Sequence, residues 1–317
     1  MQVPAIASRR RFLKNSAGCL TATLLPATWI SSAFADAPFI PRISAHIWVY
    51  ASAYPPNWDA YGDMERIFSD LHQAGLDGVE LIEVNLRHDD AVPRLGALAK
   101  KYEIPITGAS YGAAMWDASK HKEILDDVTL VVKRLGQLNG KTFGISVGDA
   151  QHPKTEAELD AQAALLKQIM RICQDSGLVA NLHNHTYEVI NGMHDLKGTL
   201  ARIPDIPLGP DLNWLIRGGI DPVAFIKTYG RQIVYMHIRD QYADGTWTEY
   251  VGQGATNFAA IADALRSVNF RGRAAIELAF PQNYVPRNPL AEDWKSSVDF
   301  VRRTFGWSRQ GTAAPIR

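Results

Sequence analysis

The sequence predicts an α/β fold, a single (β/α)8 barrel, and three observations carry that reading. From Arg42 onward, short apolar runs alternate with longer amphipathic ones. The apolar runs number eight, each followed by a helical stretch, which is the count of a closed parallel barrel. The rival, a doubly wound open sheet, calls for a Gly-rich phosphate-cradling turn after an early strand, and the chain has none.

The strands are expected at about 42–48, 77–83, 105–110, 141–147, 178–184, 206–212, 233–238 and 272–278. Between them Tyr61–Ala74, His121–Leu138 and Glu156–Ser176 read as helices, with Gly75 and Gly177 as C-terminal stops. No interior linker, charge block or low-complexity segment divides the chain, so residues 36–307 form one barrel and residues 308–317 a small polar tail.

The 317 residues are 46% hydrophobic and 21% charged, a globular profile with enough apolar material for a full core. Thirty-three basic and 33 acidic residues cancel. That balance excludes the basic field a nucleic-acid or anionic membrane surface would select.

At the N-terminus, Ser8-Arg9-Arg10-Arg11-Phe12-Leu13-Lys14 is followed by an apolar segment from Ala17 to Ile30 and by the small residues of Ala33-Phe34-Ala35. This stretch resembles a twin-arginine signal peptide over residues 1–35, cleaved before Asp36. The resemblance implies passage through the twin-arginine export machinery and a periplasmic or secreted protein. Thr, Gly and Pro weaken the apolar run, so a stable membrane anchor is not expected. After cleavage Cys173 is the sole cysteine, which rules out an intramolecular disulfide.

Polar groups collect where the strands end, the face on which barrels of this kind place their chemistry. Strand five ends in Asn181-Leu182-His183-Asn184-His185-Thr186-Tyr187-Glu188. His183 and His185 are two apart and so share a strand face. Strand six ends near Asp211 and Trp214, strand seven in His237-Ile238-Arg239-Asp240, and strand eight in Glu277. Imidazoles and carboxylates from adjacent strands converge at the mouth, an N/O donor set suited to a divalent Mn, Zn, Co or Fe ion.

Trp48, Trp58, Trp116, Trp214 and Trp247 fall at strand ends or just after them, joined by Tyr50, Tyr54, Tyr61, Tyr111 and Tyr250. Flat rings on that face suit the apolar faces of a carbohydrate; the plainer account is that they roof the barrel. His46, Trp214, Arg239 and Trp247 are the substrate-binding candidates.

Taken in order, the chain resembles the xylose isomerase-like TIM barrel superfamily of sugar isomerases and epimerases, inosose dehydratases and the endonuclease IV type. The marks are Gly75-Leu76-Asp77-Gly78-Val79-Glu80-Leu81, Leu182-His183-Asn184-His185, Asp211, Gly219-Ile220-Asp221-Pro222, Val234-Tyr235-Met236-His237-Ile238-Arg239-Asp240, Val251-Gly252-Gln253-Gly254 and Ala275-Ile276-Glu277. The resemblance implies a divalent metal held by His183, Asp211, His237 and Glu277. His183 stands where the epimerases carry a glutamate that is both ligand and proton-transfer group, so His183 is either a neutral ligand or a base.

The chemistry that follows is proton abstraction beside a carbonyl. His185 or Glu188 is the candidate base, Glu80 a further acid/base candidate or else a paired structural carboxylate, and Arg239 the partner of the developing oxyanion. Reprotonation gives epimerisation or isomerisation, and loss of a β-substituent gives a lyase or dehydratase acting on a keto-sugar or 3-keto-glycoside. Export and the lack of a phosphate cradle point to an unphosphorylated sugar. A non-catalytic periplasmic carbohydrate-binding barrel is the competing class.

Overall fold

A computed structural model of the chain describes residues 39–281 and 284–307. The signal peptide and the tail expected at the two ends lie outside the described residues. Seven parallel strands form one sheet: β1 (Ile43–His46), β2 (Gly78–Ile82), β3 (Ile106–Gly112), β4 (Thr142–Ser146), β5 (Val179–Leu182), β6 (His237–Ile238) and β7 (Ala274–Glu277). Their order is β5-β4-β3-β2-β1-β7-β6. Single bridges from Leu208 to Leu182 and to Ile233, and from Asp211 to His237, close the ring. The fold is a TIM-type barrel whose sixth position is a segment rather than a strand.

That position is where the expected strand at 206–212 fails to form. Pro207 and Pro210 bring no N–H to the ladder, so pairing is reduced to isolated bridges. Side chains replace part of the ladder. The Asn184 amide accepts from the Asp211 backbone N–H (3.2 Å) and donates to its carbonyl (3.5 Å). Gly209 is needed beside this latch, because a Cβ there would collide with the Asn181 amide. The expected strand at 233–238 likewise keeps ladder pairing only at His237 and Ile238.

The helices are α1 (Trp48–Ala51), α2 (Met64–Ala74), α3 (Ala91–Tyr102), α4 (His121–Gln137), α5 (Glu156–Asp175), α6 (Thr186–Arg202), α7 (Leu212–Arg217), α8 (Pro222–Tyr229), α9 (Phe258–Ser267) and α10 (Leu290–Phe305). The three helices read from periodicity appear as α2, α4 and α5, within a turn of the expected ends. Gly75 stops α2 in the left-handed conformation (φ 78°), and Thr155 with Glu158 opens α5 as a capping box. Among the described residues no helix is long and apolar enough to cross a membrane.

Strand alternation sorts the barrel. Ile43, Ala45, Val79, Leu81, Phe143 and Ile145 are buried in the hydrophobic core. The residues between them are polar or small: Ser44, His46, Glu80, Thr142, Gly144 and Ser146. Because successive strand residues face opposite ways, this second set fills the barrel interior. Ser44 and Thr107 hydrogen-bond within it at 2.8 Å. The buried polar set therefore arises from the strand pattern itself, and it leads upward to the mouth.

Candidate active site

The register puts His46 opposite Glu80 on β2 and opposite Glu277 on β7. At this level the buried side chains interlock. His237 places Nε2 2.7 Å from Glu80 Oε2 and Nδ1 2.7 Å from Glu277 Oε2. Tyr235 donates its hydroxyl to the same Glu80 oxygen at 2.9 Å. Arg239 pairs with the other oxygen of Glu277. His46 Nε2 lies 2.9 Å from Ser110 Oγ, and its Nδ1 is 3.5 Å from Glu277.

His183, Asp211 and His237 come together beside this network. Each offers a ligand atom, and the three atoms lie within 4.8 Å of one another. Asp211 caps α7 with one oxygen, accepting from Asn213 N (2.8 Å) and Trp214 N (3.0 Å). Its other oxygen, and Nδ1 of His183, are buried without a hydrogen-bond partner among the described residues. Buried unpaired acceptors of this kind are costly. Two of them beside His237, whose ligand nitrogen would exchange its carboxylate contact for the ion, are the chemistry a divalent cation would satisfy, so the residues fit a metal. Glu277, the fourth expected ligand, lies outside this group of three and is engaged by His237 and Arg239.

Above the cluster opens a cavity of about 940 Å³ whose wall includes His46, His183, His185, Arg239 and Glu277. His183 and His185 both line it, their rings 5.1 Å apart, although β5 ends at Leu182 and His185 is already the N-cap of α6. Burial pushes His185 down to about 4, with the Arg239 and His237 charges adding to the fall and Asp211 opposing it. Burial, then the neighbouring His237, holds both His183 and His46 well below the ordinary imidazole range. All three present neutral imidazoles near pH 7. Burial also lowers Arg239 to about 10, against the pull of Asp211.

Aromatic rings wall the cavity in two groups. Trp214 and Trp247 meet edge to face at 5.5 Å, and Arg239 sits over Trp247 at 4.5 Å with Arg217 over the same ring at 3.8 Å. The loop bearing Trp247 is clamped by Asp240, whose carboxylate accepts from Gly252 N (2.9 Å) and Gly254 N (2.8 Å). Trp48 and Trp58 form the second group, ring centroids 5.3 Å apart. Other expected rim aromatics have different places. Tyr50 is buried between Asp70 and Trp294, and Tyr61 stacks on His88.

Two candidate acid/base groups lie away from this cavity. Glu80 is the buried anchor of His237 and Tyr235 and does not line the cavity. Glu188 caps α6: it accepts from His185 N (2.6 Å), Ser146 Oγ (2.7 Å) and Val147 N (3.2 Å). Its place on the first helical turn, rather than on the strand, turns it beneath the floor. Glu188→Ala is expected to cost on the order of 2–4 kcal/mol, one lost cap plus buried donors left unpaired. Urea unfolding of metal-free protein would read this, and a loss of metal content with unchanged stability would contradict the capping role.

Sequence reasoning missed Glu83, one residue past β2 and on the cavity wall. Burial pushes its carboxyl up to about 7. A carboxylate just beyond a strand end was the available signal.

A parallel barrel with a histidine-carboxylate cluster at the C-terminal ends of its strands, beneath an aromatic-walled cavity, has the layout in which such folds place small-molecule sites. The chain belongs to the xylose isomerase-like TIM barrel family, whose model matches residues 68–304. No curated protein matches it. Among solved structures it is similar to 3-keto-D-glucoside 4-epimerase from E. coli (16% identity, TM-score 0.65, covering 83% of this chain and 99% of that one). It is also similar to an L-ribulose 3-epimerase (18%, TM-score 0.68, 84% and 95%). A D-allulose 3-epimerase from Methylomonas sp. in complex with D-allulose gives 17% identity and TM-score 0.66, over 84% and 98% of the two chains.

Proposed function

We propose that this protein is a divalent metal-dependent isomerase or epimerase of an unphosphorylated sugar or keto-sugar. The observation that carries the reading is the buried cluster of His183, Asp211 and His237, in which two polar atoms lack a hydrogen bond among the described residues, at the floor of the cavity. The likeness to sugar epimerases of known structure supports it.

His183, Asp211 and His237 would hold the ion, with Glu277 beside them. When bound, such an ion polarises a carbonyl and its neighbouring hydroxyl, so that a proton on the adjacent carbon becomes acidic. His185 faces the same cavity as a neutral imidazole and takes that proton. Its Nδ1 lies 3.0 Å from Ser146 Oγ, which orients the ring and leaves the other nitrogen for the substrate. Arg239, fixed by Glu277 and by the face of Trp247, is positioned for a substrate oxygen that gains charge. Among the described residues lining the cavity, Arg239 is the one guanidinium or ammonium group, and it is already paired. A phosphorylated sugar would lack a counter-charge there.

The test is metal analysis of the purified protein, then incubation with Mn²⁺ and a panel of sugars and 3-keto-glycosides in D₂O. Deuterium should enter at a carbon next to a carbonyl. Because the His185 imidazole is depressed to about 4, it stays unprotonated above that value, and exchange should fall only as pH drops through it. A limb at about 6.5, the ordinary imidazole value, would remove His185 as the base. Failure to retain any divalent ion would overturn the proposal.

A further inference from the structure

The cavity is larger than the chemistry beneath it requires. At about 940 Å³ it stands near the top of the roughly 300–1,000 Å³ that suits drug-sized ligands. A single sugar ring over His183 and His185 would leave much of it to water. The unclaimed part lies above β1 and β2. There Trp48, just past the end of β1, and Ile82 and Glu83, at the end of β2, line the same cavity wall.

Three features of that wall point to a ligand. Trp58 is 38% exposed and holds φ at 54°, a left-handed backbone that bulky residues rarely adopt. Its ring is tilted 49° from that of Trp48, so the pair makes an open apolar cleft rather than a closed stack. Glu83 lines the same cavity. Its nearest cation, Arg87, is 3.7 Å away and already spends its fork on Asp127 at 3.0 and 2.8 Å. The carboxyl thus keeps acceptor capacity toward the cavity, and burial, by raising it to about 7, leaves it able to donate as well.

We propose that Trp48, Trp58 and Glu83 form a second sugar subsite, so that the physiological ligand is a two-ring glycoside of the disaccharide class. One ring lies over His183 and His185. The other packs an apolar face on Trp58 and presents hydroxyls to Glu83. This rests on the cavity being a carbohydrate site, as proposed above, and names the size of the carbohydrate.

Binding distinguishes the two claims without turnover. The full chain loaded with Mn²⁺ is titrated by tryptophan fluorescence and calorimetry with D-glucose, maltose, cellobiose, sucrose and trehalose, and with 3-keto forms of the disaccharides. At least one disaccharide should bind tenfold or more tightly than D-glucose. Trp58→Ala, at an exposed position that spares the core, should erase that advantage and leave the D-glucose affinity unchanged. Glu83→Gln should weaken the same disaccharide severalfold. A disaccharide affinity no better than that of D-glucose, no disaccharide binding at all, or an equal loss for both sugars in Trp58→Ala would overturn the subsite. Disaccharide preference without deuterium exchange would keep the subsite and remove the proposed chemistry; exchange on monosaccharides without the preference would do the reverse.

Discussion

Asp211→Asn is expected to lose Mn²⁺ while keeping the fold. The two oxygens of Asp211 have separate tasks. One caps α7 through the backbone N–H groups of Asn213 and Trp214, and an asparagine carbonyl can accept the same two bonds. The other is buried without a hydrogen bond among the described residues, facing His183 and His237 with Arg239 Nε 4.0 Å away. In the variant an amide NH₂ stands there, which has no lone pair for a cation. Loss of a supporting partner alone typically costs 10–100-fold in metal affinity, so replacing a ligand should cost about 100-fold or more. The thermal midpoint of metal-free protein should move by only about a few degrees, since the cap survives. Asp211→Ala is the poorer probe, because it also forfeits a cap worth about 1 kcal/mol. Calorimetric titration of both proteins with Mn²⁺ decides the matter, and an unchanged affinity in Asp211→Asn would take this residue out of the ligand set.

The barrel was legible because short apolar runs recur between amphipathic stretches, and within several of those runs the structure shows residues alternating between the two faces. Ile43-Ser44-Ala45-His46 and Thr142-Phe143-Gly144-Ile145-Ser146 announce an apolar outside and a polar interior. The sixth position was misread as a strand because its apolar residues, Ile206 and Leu208, keep the right spacing while Pro207 and Pro210 remove the donors that a ladder needs. His183 and His185 reach the cavity although both lie past the end of β5, where strand periodicity no longer fixes the direction of a side chain. The carboxylates were less legible. Glu188 is close to His185 in sequence, but the first turn of α6 rotates it onto Ser146. Glu83 had no motif around it, and a short 3₁₀ turn after β2 brings it to the cavity. Helical and strand geometry place side chains differently at the same sequence distance, and sequence alone does not say where one geometry gives way to the other.

His183→Glu tests the position where the chain departs from the epimerase pattern. If His183 is a ligand, the proton competes with the metal for the imidazole. An unperturbed histidine would give a fall in affinity between about pH 7 and 6. Burial and the neighbouring His237 hold this imidazole well below its usual range, so the proton competes only at lower pH. Wild-type Mn²⁺ affinity should therefore persist down through that window. In His183→Glu the new carboxylate is buried beside Asp211, and both desolvation and the like charge raise its pKa. It should bind Mn²⁺ near pH 8 and lose it as pH falls toward about 6, because protonation removes the ligand. The added negative charge also stabilises developing charge on the substrate less well, so deuterium exchange should slow even with the metal bound. If His183 is instead the base, the variant should keep wild-type Mn²⁺ affinity at both pH values, and only the rate and pH dependence of exchange should change, since a carboxylate can also accept the proton. The geometry favours the ligand role: His183 Nδ1 is unpaired among the described residues, the His183 and His237 rings lie 4.5 Å apart, and His185 already faces the cavity as a neutral base. Titrations at the two pH values, run beside the exchange assay on the same preparations, separate the roles by which quantity moves.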